Sequence, residues 1–126
     1  MKSGLATYKQ HLDLALERFQ AAEEQFKEEK YHTAAHLFIN AAINLHNTLC
    51  QKFLNKIPVH KQHSDTTYFH DLAPFLKSEL SKYQAAYEFL IAHKNQADYG
   101  TELSLNAAKQ IYRRAKTIKE IVEHQL

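Results

Sequence analysis

The segment from Tyr31 to Leu54, YHTAAHLFINAAINLHNTLCQKFL, contains neither glycine nor proline and has one continuous helical pattern. When its residues are placed about 100° apart, the apolar side chains form an arc of roughly 200°, wider than the stripe of an ordinary surface helix. The arc consists of Ala35, Phe38, Ile39, Ala41, Ala42, Ile43, Leu45, His46, Leu49, Cys50 and Phe53. A helix that is apolar over so much of its girth needs several neighbours, so we predict that it is the central helix of a small helical domain.

The opposite edge of this helix is narrow and polar, and its residues lie within about 80° of one another. They are His36, Asn40, Asn44, Asn47 and Gln51. Two interpretations are open: the edge is simply solvated, or it forms the wall of a polar site or a dimer contact.

Length and composition narrow the classes of protein. The 126 residues suit one domain, 1–126, and two Gly and two Pro leave little turn chemistry for a β-rich fold. The 16 Lys and Arg against 14 Asp and Glu argue against a strongly electrostatic, nonspecific nucleic-acid binder but leave a local basic patch open, and we expect no DNA partner. No apolar run has the length of a membrane span, and the N-terminus has no apolar signal region, so we expect a cytoplasmic protein without a membrane partner.

Apolar repeats at three-to-four spacing predict three further helices. Helix one runs from Leu5 to about Lys27, with Ser3 as its cap, and the central helix ends near Asn55 because Pro58 follows. Helix three follows a polar loop and extends to about residue 93.

Proline and glycine divide the second half of the chain. Pro74 either bends helix three or begins its main part, so the pattern allows an extra short helix before Pro74. The segment KNQADYGTE, residues 94–102, is predicted as a turn at Gly100, and helix four begins after a cap at Thr101 or Ser104. The predicted fold is all-α, an antiparallel up-and-down four-helix bundle.

Helix four carries a basic edge formed by Lys109, Arg113 and Lys116, with Arg114 and Lys119 nearby. Cations toward the C-terminus of a helix interact favourably with its dipole, which is sufficient to explain this edge.

Candidate metal ligands are few. His32 and His36 are one turn apart, but two ligands do not make a site. His60, His63 and His70, with Asp65 between them, have a spacing that allows a weak metal site, although histidines in loops are usually solvated. We therefore expect no metal and no cofactor.

Catalytic arrangements are equally sparse. His46 and Cys50 are one turn apart within the apolar arc, whereas a nucleophile needs access and an oxyanion hole. As the lone cysteine, Cys50 is predicted to be buried and inert. No phosphate-binding or hydrolase motif is present, and no catalytic residue is assigned.

The order of segments resembles a HEPN domain over roughly Leu5 to Leu126. The resemblance rests on YHTAAHLFINAAINLH, the long third helix, KNQADYG and the final helix LNAAKQIYRRAKTIKEIV, and Ala97-Asp98-Tyr99-Gly100 is its most specific part. The family implies a helical bundle that usually forms homodimers. Many members are ribonucleases, often toxins paired with a small nucleotidyltransferase antitoxin, and others are noncatalytic binding or assembly modules.

Ribonuclease members carry Arg, a gap of about four to six residues and then His near the end of helix three. No Arg in this sequence is followed by His at such a gap. Lys94 and Tyr99 stand there instead, and the segment from Lys94 to Tyr99 is similar to the variant R-x-x-A-D-Y with Lys for Arg. Lys keeps the charge but loses the bidentate fork, and Tyr has an unperturbed pKa near 10, so we lean against an enzyme.

The leading hypothesis is a HEPN-like, noncatalytic nucleotide- or RNA-binding or assembly protein that acts as a homodimer with a nucleotidyltransferase-type partner. Its binding surface would consist of Lys94, Asp98, Tyr99, His36, Asn40, Asn44 and Asn47. One alternative is a ribonuclease toxin of a toxin–antitoxin module with a degenerate Arg/His motif. Another is a structural helical module without a ligand site, in which Asp98 and Tyr99 form a capped turn and Tyr99 packs on the bundle.

The homodimer is also predicted from surface that a monomer would leave uncovered. This surface comprises the wide apolar arc and the helix-three aromatics Phe69, Phe75, Tyr83, Tyr87 and Phe89.

Overall fold

The computed structural model describes residues 7–56, 67–100 and 103–126, and these ranges are helical with no strands. The helices are α1 (Tyr8–Lys27), α2 (Tyr31–Leu54), α3 (Thr67–Leu76), α4 (Leu80–Ala92), α5 (Lys94–Tyr99) and α6 (Leu105–Gln125). A 3₁₀ turn, Lys77–Glu79, joins α3 to α4. The prediction of a helical bundle is confirmed.

Helix α2 is the packing centre, because every other α-helix contacts it. Its buried residues occupy the predicted arc, and Phe38, Ile39, Leu45 and Leu49 have no exposed surface. The Phe38 ring stacks on Tyr112 of α6 with 4.5 Å between centroids. Burial of one such aromatic side chain contributes roughly 1.5–3 kcal/mol, so α1 and α6 are fixed to α2 mainly by apolar packing.

Helix α1 begins later than the sequence suggested. Thr7 caps it: its hydroxyl accepts from the Gln10 N–H, and the Gln10 side chain accepts from the Thr7 N–H at 2.7 Å. Ser3, the predicted cap, lies outside the described residues. The chain leaves α1 through Glu29, whose φ of 62° is left-handed, so this boundary is sharp although it contains no glycine.

The predicted third helix is two helices. Pro74 lies inside α3, where it cannot donate to the carbonyl of residue 70. The break follows three residues later, at Lys77, whose φ is 53°. The extra short helix therefore exists, but it contains Pro74 rather than preceding it.

The break turns both halves toward α2. Phe69, Tyr83 and Tyr87 are at most 2% exposed and surround the imidazole of His46. Phe69, Tyr83, Tyr87 and most of the apolar arc are therefore covered within one chain, whereas Phe75, another of the aromatics from which a dimer was predicted, is 37% exposed. The homodimer stays a prediction.

Residues 94–99 form the helix α5 and not the predicted turn. The His93 carbonyl accepts from the Ala97 N–H at 3.0 Å, and Ala97 is buried against the bundle. Gly100 ends the helix, and a Cβ there would lie 2.5 Å from the Gln96 carbonyl oxygen. Gly100 is thus required by the close approach of its own preceding turn. Helix α6 begins after Ser104, whose hydroxyl accepts from the Ala107 N–H, as one of the two predicted caps.

Candidate functional site

Helix α5 meets the N-terminal half of α2 through a cluster of charged side chains. His36 Nδ1 donates to Asp98 Oδ1 at 2.6 Å, and the Lys94 ammonium donates to Asp98 Oδ2. The Asp98 side chain is only 11% exposed, whereas those of Lys94 and His36 are 29% and 47% exposed. We call His36, Lys94 and Asp98 the α2–α5 cluster.

The electrostatics of this cluster depend on Asp98. Burial opposes ionisation of its carboxyl, but the hydrogen bonds from Lys94 and His36, together with the charges of these groups, outweigh burial and hold the pKa of Asp98 below its usual value. Asp98 is therefore a largely buried carboxylate that orients the Lys94 ammonium and the His36 imidazole.

Asn40 supports this arrangement from the next turn of α2. Its side-chain amide donates to the His36 carbonyl at 2.8 Å and lies 3.4 Å from His36 Nε2. The Asn40 side chain thus limits the orientations available to the imidazole.

Tyr99 is the most exposed of the large apolar or aromatic side chains that the structure describes, at 82%. The residues before it are anchored, because Ala97 is buried and Asp98 is bonded to two partners. The structure therefore holds an aromatic ring in solvent beside the α2–α5 cluster. The alternative in which Tyr99 packs on the bundle is wrong.

The remaining predicted residues of the polar edge do not join the cluster. Asn44 lies about 12 Å from His36 along the axis of α2. It is 8% exposed, and its Oδ1 accepts from Arg18 Nη1 of α1 at 2.6 Å. The buried Asn47 Oδ1 has no hydrogen-bond partner among the described residues. Asn44 therefore serves the α1–α2 contact, whereas Asn47 and Gln51 are half-buried residues outside the α2–α5 cluster.

Arg18 was not singled out from the sequence, although a signal was present. It lies three residues after Ala15 and four before Ala22, both fully buried, so it shares their inward-facing side of α1. An arginine on such a side needs a buried acceptor, and the polar edge of α2 supplied the candidates.

The Cys–His pair on α2 is enclosed. Cys50 Sγ lies 3.7 Å from His46 Nε2, and His46 Nδ1 forms a 2.7 Å hydrogen bond with the Tyr83 hydroxyl. Burial raises the pKa of the Cys50 thiol to about 12, with smaller opposing effects of Lys56 and Asp71. The predicted burial of Cys50 is confirmed, and its inertness stays a prediction.

The described residues also bear on a metal site and on a membrane-spanning helix. No group of three or more His, Cys, Asp or Glu side chains suited to a metal ion is found among the described residues. His60, His63 and Asp65 lie outside the described ranges, and His70 is exposed. No helix in those ranges combines the length and apolar character needed to cross a bilayer.

Comparisons with protein-family models, with curated proteins and with solved structures give no match.

Proposed function

We propose that this chain is a HEPN-like, noncatalytic nucleotide- or RNA-binding protein of the cytoplasm, with its helices in an antiparallel up-and-down arrangement. It acts as a homodimer with a nucleotidyltransferase-type partner. The observation that carries the binding function is Tyr99, an 82% exposed aromatic ring on an anchored helix, next to Lys94 and His36.

An exposed ring of this kind suits the flat face of a nucleobase. Stacking of a base on an aromatic side chain contributes roughly 1–3 kcal/mol and tolerates any base sequence. The neighbouring Lys94 and His36 supply donors for phosphate, and Asp98 orients both from the protein side. Tyr99 and the α2–α5 cluster together thus combine a stacking surface with phosphate donors.

The noncatalytic assignment follows from the same residues. Lys94 stands where the ribonucleases that this chain resembles have Arg, and its ammonium is already engaged by Asp98. Tyr99 stands near the place of their His. The cluster therefore supports binding of a phosphate more readily than stabilisation of a transition state.

Three variants, one at Lys94 and two at Tyr99, test the binding function. Lys94→Ala is expected to weaken binding of a labelled nucleotide or short RNA by roughly 1–3 kcal/mol, the value of a hydrogen bond to a charged group. Tyr99→Ala is expected to weaken it by a similar amount, whereas Tyr99→Phe keeps the ring and separates stacking from a role of the hydroxyl. Lys9→Ala, an exposed lysine of α1, is the control for lost charge.

Because Lys94 is partly buried and paired, Lys94→Ala is also expected to cost up to about 1 kcal/mol of folding stability. Binding is therefore measured by fluorescence anisotropy at a temperature where urea unfolding shows every variant to be folded. If Lys94→Ala and Tyr99→Ala bind all wild-type ligands as tightly as Lys9→Ala does, the proposed site is wrong.

The homodimer and the partner rest on the family resemblance and need separate tests. Light scattering at micromolar concentration should give twice the 14.7 kDa chain mass, and a monomeric mass would contradict the dimer. The neighbouring gene should encode a nucleotidyltransferase. Production of the chain alone should leave growth unchanged, and growth arrest would instead support the ribonuclease toxin.

A further inference from the structure

The groove between α4 and α6 is lined by cations, with no carboxylate among the described residues that line it. One carboxylate borders it, because Glu23 Oε2 accepts from the hydroxyl of Tyr112, which lines its second part, at 2.7 Å. Lys82 and Ala86 of α4 face Gln110, Arg113, Arg114 and Thr117 of α6 around a cavity of about 210 Å³. A second depression of about 310 Å³ adjoins it through Arg113, with Lys109 and Lys116 beside Phe26 and Tyr112. We call the two depressions together the basic groove.

The five cations of the basic groove have no ion-pair partner among the described residues. They are Lys82, Lys109, Arg113, Arg114 and Lys116. Lys30, Lys56, Lys94 and Lys119 are paired with carboxylates, whereas Lys9, Lys27, Lys52 and Lys77 have no ion pair among the described residues either. What sets the five cations apart is that they line adjoining depressions of one surface. The helix dipole acts mainly on the last turn of α6, where the basic residue is His124, so it does not account for these five cations.

One guanidinium of the groove is already held in place. Arg114 lies over the ring of Phe89, with 4.9 Å from its guanidinium carbon to the ring centroid. Such stacking fixes the plane of a guanidinium while its edge N–H groups stay available, and these groups match phosphate in a bidentate manner. The groove is thus built for planar, charge-assisted recognition of an oxyanion.

The basic groove leads toward the α2–α5 cluster. Lys82, Ala86, Phe89 and His93 follow one face of α4 over roughly 16 Å, and the His93 ring stacks on Phe89 at 4.3 Å. The next residue is Lys94. A ligand in the groove therefore has a path along α4 toward Lys94 and Tyr99.

We propose that the basic groove binds the phosphate backbone of a single RNA strand, whose continuation reaches Tyr99; this inference rests on the proposed function. The first cavity is smaller than the roughly 300–1,000 Å³ of an enclosing ligand pocket, so it fits a phosphate of a chain that continues outside it. The row of unpaired cations fits successive phosphates better than a mononucleotide. Arginine pairs with both phosphate and carboxylate, so its preference for RNA over an acidic peptide has to come from several contacts along the strand.

The test uses a labelled 12-nucleotide oligouridine and fluorescence anisotropy at several salt concentrations. The double variant R113Q/R114Q should bind at least tenfold more weakly than the wild-type chain. For single strands the slope of log K against log salt is about −0.7 for each neutralised phosphate, so losing two contacts should reduce its magnitude by about 1.4.

The matched control is K9Q/K27Q, which removes the same charge from two exposed lysines of α1 that, like the two arginines, have no ion-pair partner among the described residues. It should bind within twofold of wild type, with an unchanged slope. Circular dichroism and urea unfolding establish that both double variants are folded.

The possible outcomes separate the two proposals. If the wild-type chain binds the RNA, and K94A or Y99A weakens binding while R113Q/R114Q does not, the basic groove is wrong and the proposed function stands. Equal losses in both double variants, or displacement of the RNA by polyglutamate of equal charge concentration, would also overturn the groove. If the wild-type chain binds no RNA, the basic groove is wrong, and the proposed function is then decided by the binding of the labelled nucleotide and its loss in K94A and Y99A.

Discussion

Tyr83 and Tyr87 offer an internal comparison between a paired and an unpaired buried hydroxyl. Both side chains are at most 1% exposed, and their rings are nearly parallel, with 6.4 Å between centroids. The Tyr83 hydroxyl forms a hydrogen bond with His46 Nδ1 at 2.7 Å. The Tyr87 hydroxyl has no partner among the described residues. Replacement of each by Phe removes the same atom from almost the same environment.

The two replacements are expected to differ in cost. Tyr83→Phe loses a buried hydrogen bond and leaves the imidazole nitrogen without that partner, which costs roughly 1–3 kcal/mol of unfolding free energy. Tyr87→Phe removes a hydroxyl whose burial is uncompensated, a penalty of roughly 1–3 kcal/mol on protein scales, so it should be neutral or stabilising. The predicted difference between the variants is therefore about 2 kcal/mol or more.

Urea unfolding followed by circular dichroism measures this difference, provided that the denaturant slopes of the two variants agree with wild type. If Tyr87→Phe destabilises as much as Tyr83→Phe, hydrogen-bond pairing does not set the cost at these positions. If Tyr83→Phe is neutral, the contact with His46 contributes nothing to stability.

Two further predictions concern titratable groups. Because the pKa of Asp98 is lowered in the folded chain, its ionised form stabilises the fold above the unfolded pKa near 3.9, and this contribution is lost as pH falls through the lower folded pKa. Asp98→Asn should therefore cost about 1 kcal/mol at pH 7 and progressively less below about pH 4, as urea midpoints across that range would reveal; a pH-independent cost would contradict the ion pairing. The Cys50 thiol, with its pKa raised to about 12 by burial, should react with a thiol reagent only when urea unfolds the chain, and rapid labelling of the native protein would show that the site is open.

The central helix could be predicted from the sequence because its pattern is redundant. An arc of eleven apolar or semi-apolar positions specifies both the helix and its burial, and a single error in the pattern would not change the result. By contrast, α5 spans six residues, too few for a periodic signal. Its helical form depends on the contact of Asp98 with His36, which is 62 positions away in the sequence, and on the burial of Ala97.

The aromatics after residue 67 were misinterpreted for a geometric reason. In a single straight helix Phe69 and Tyr87 would share a face but lie about 27 Å apart along the axis, so they could not both contact His46. The left-handed Lys77 breaks the helix, and both halves then pack on His46. The position of such a break after Pro74 is determined by tertiary packing, and the local sequence does not specify it.

The polar edge of α2 shows the same limit at the level of single residues. Its five positions share one helical face. At one end the Asn40 amide donates to the His36 carbonyl, and farther along the helix Asn44 is buried against Arg18. Helical periodicity fixes which side chains share a face, but the neighbouring helices determine which of them remain open to a ligand. Only the half that α5 borders became part of the candidate site.

The net charge of the chain does not describe how its charges are distributed after folding. A net charge of +2 argued against an electrostatic binder of nucleic acid, because a sum over the chain treats every charge alike. In the folded chain, carboxylates neutralise Lys30, Lys56, Lys94 and Lys119, and these pairs contribute little field beyond about a Debye length. The unpaired cations that remain on α4 and α6 lie in one groove, where their potentials add. A nearly neutral chain can therefore present a local basic surface, and the salt dependence of RNA binding is the property that distinguishes this distribution from the average.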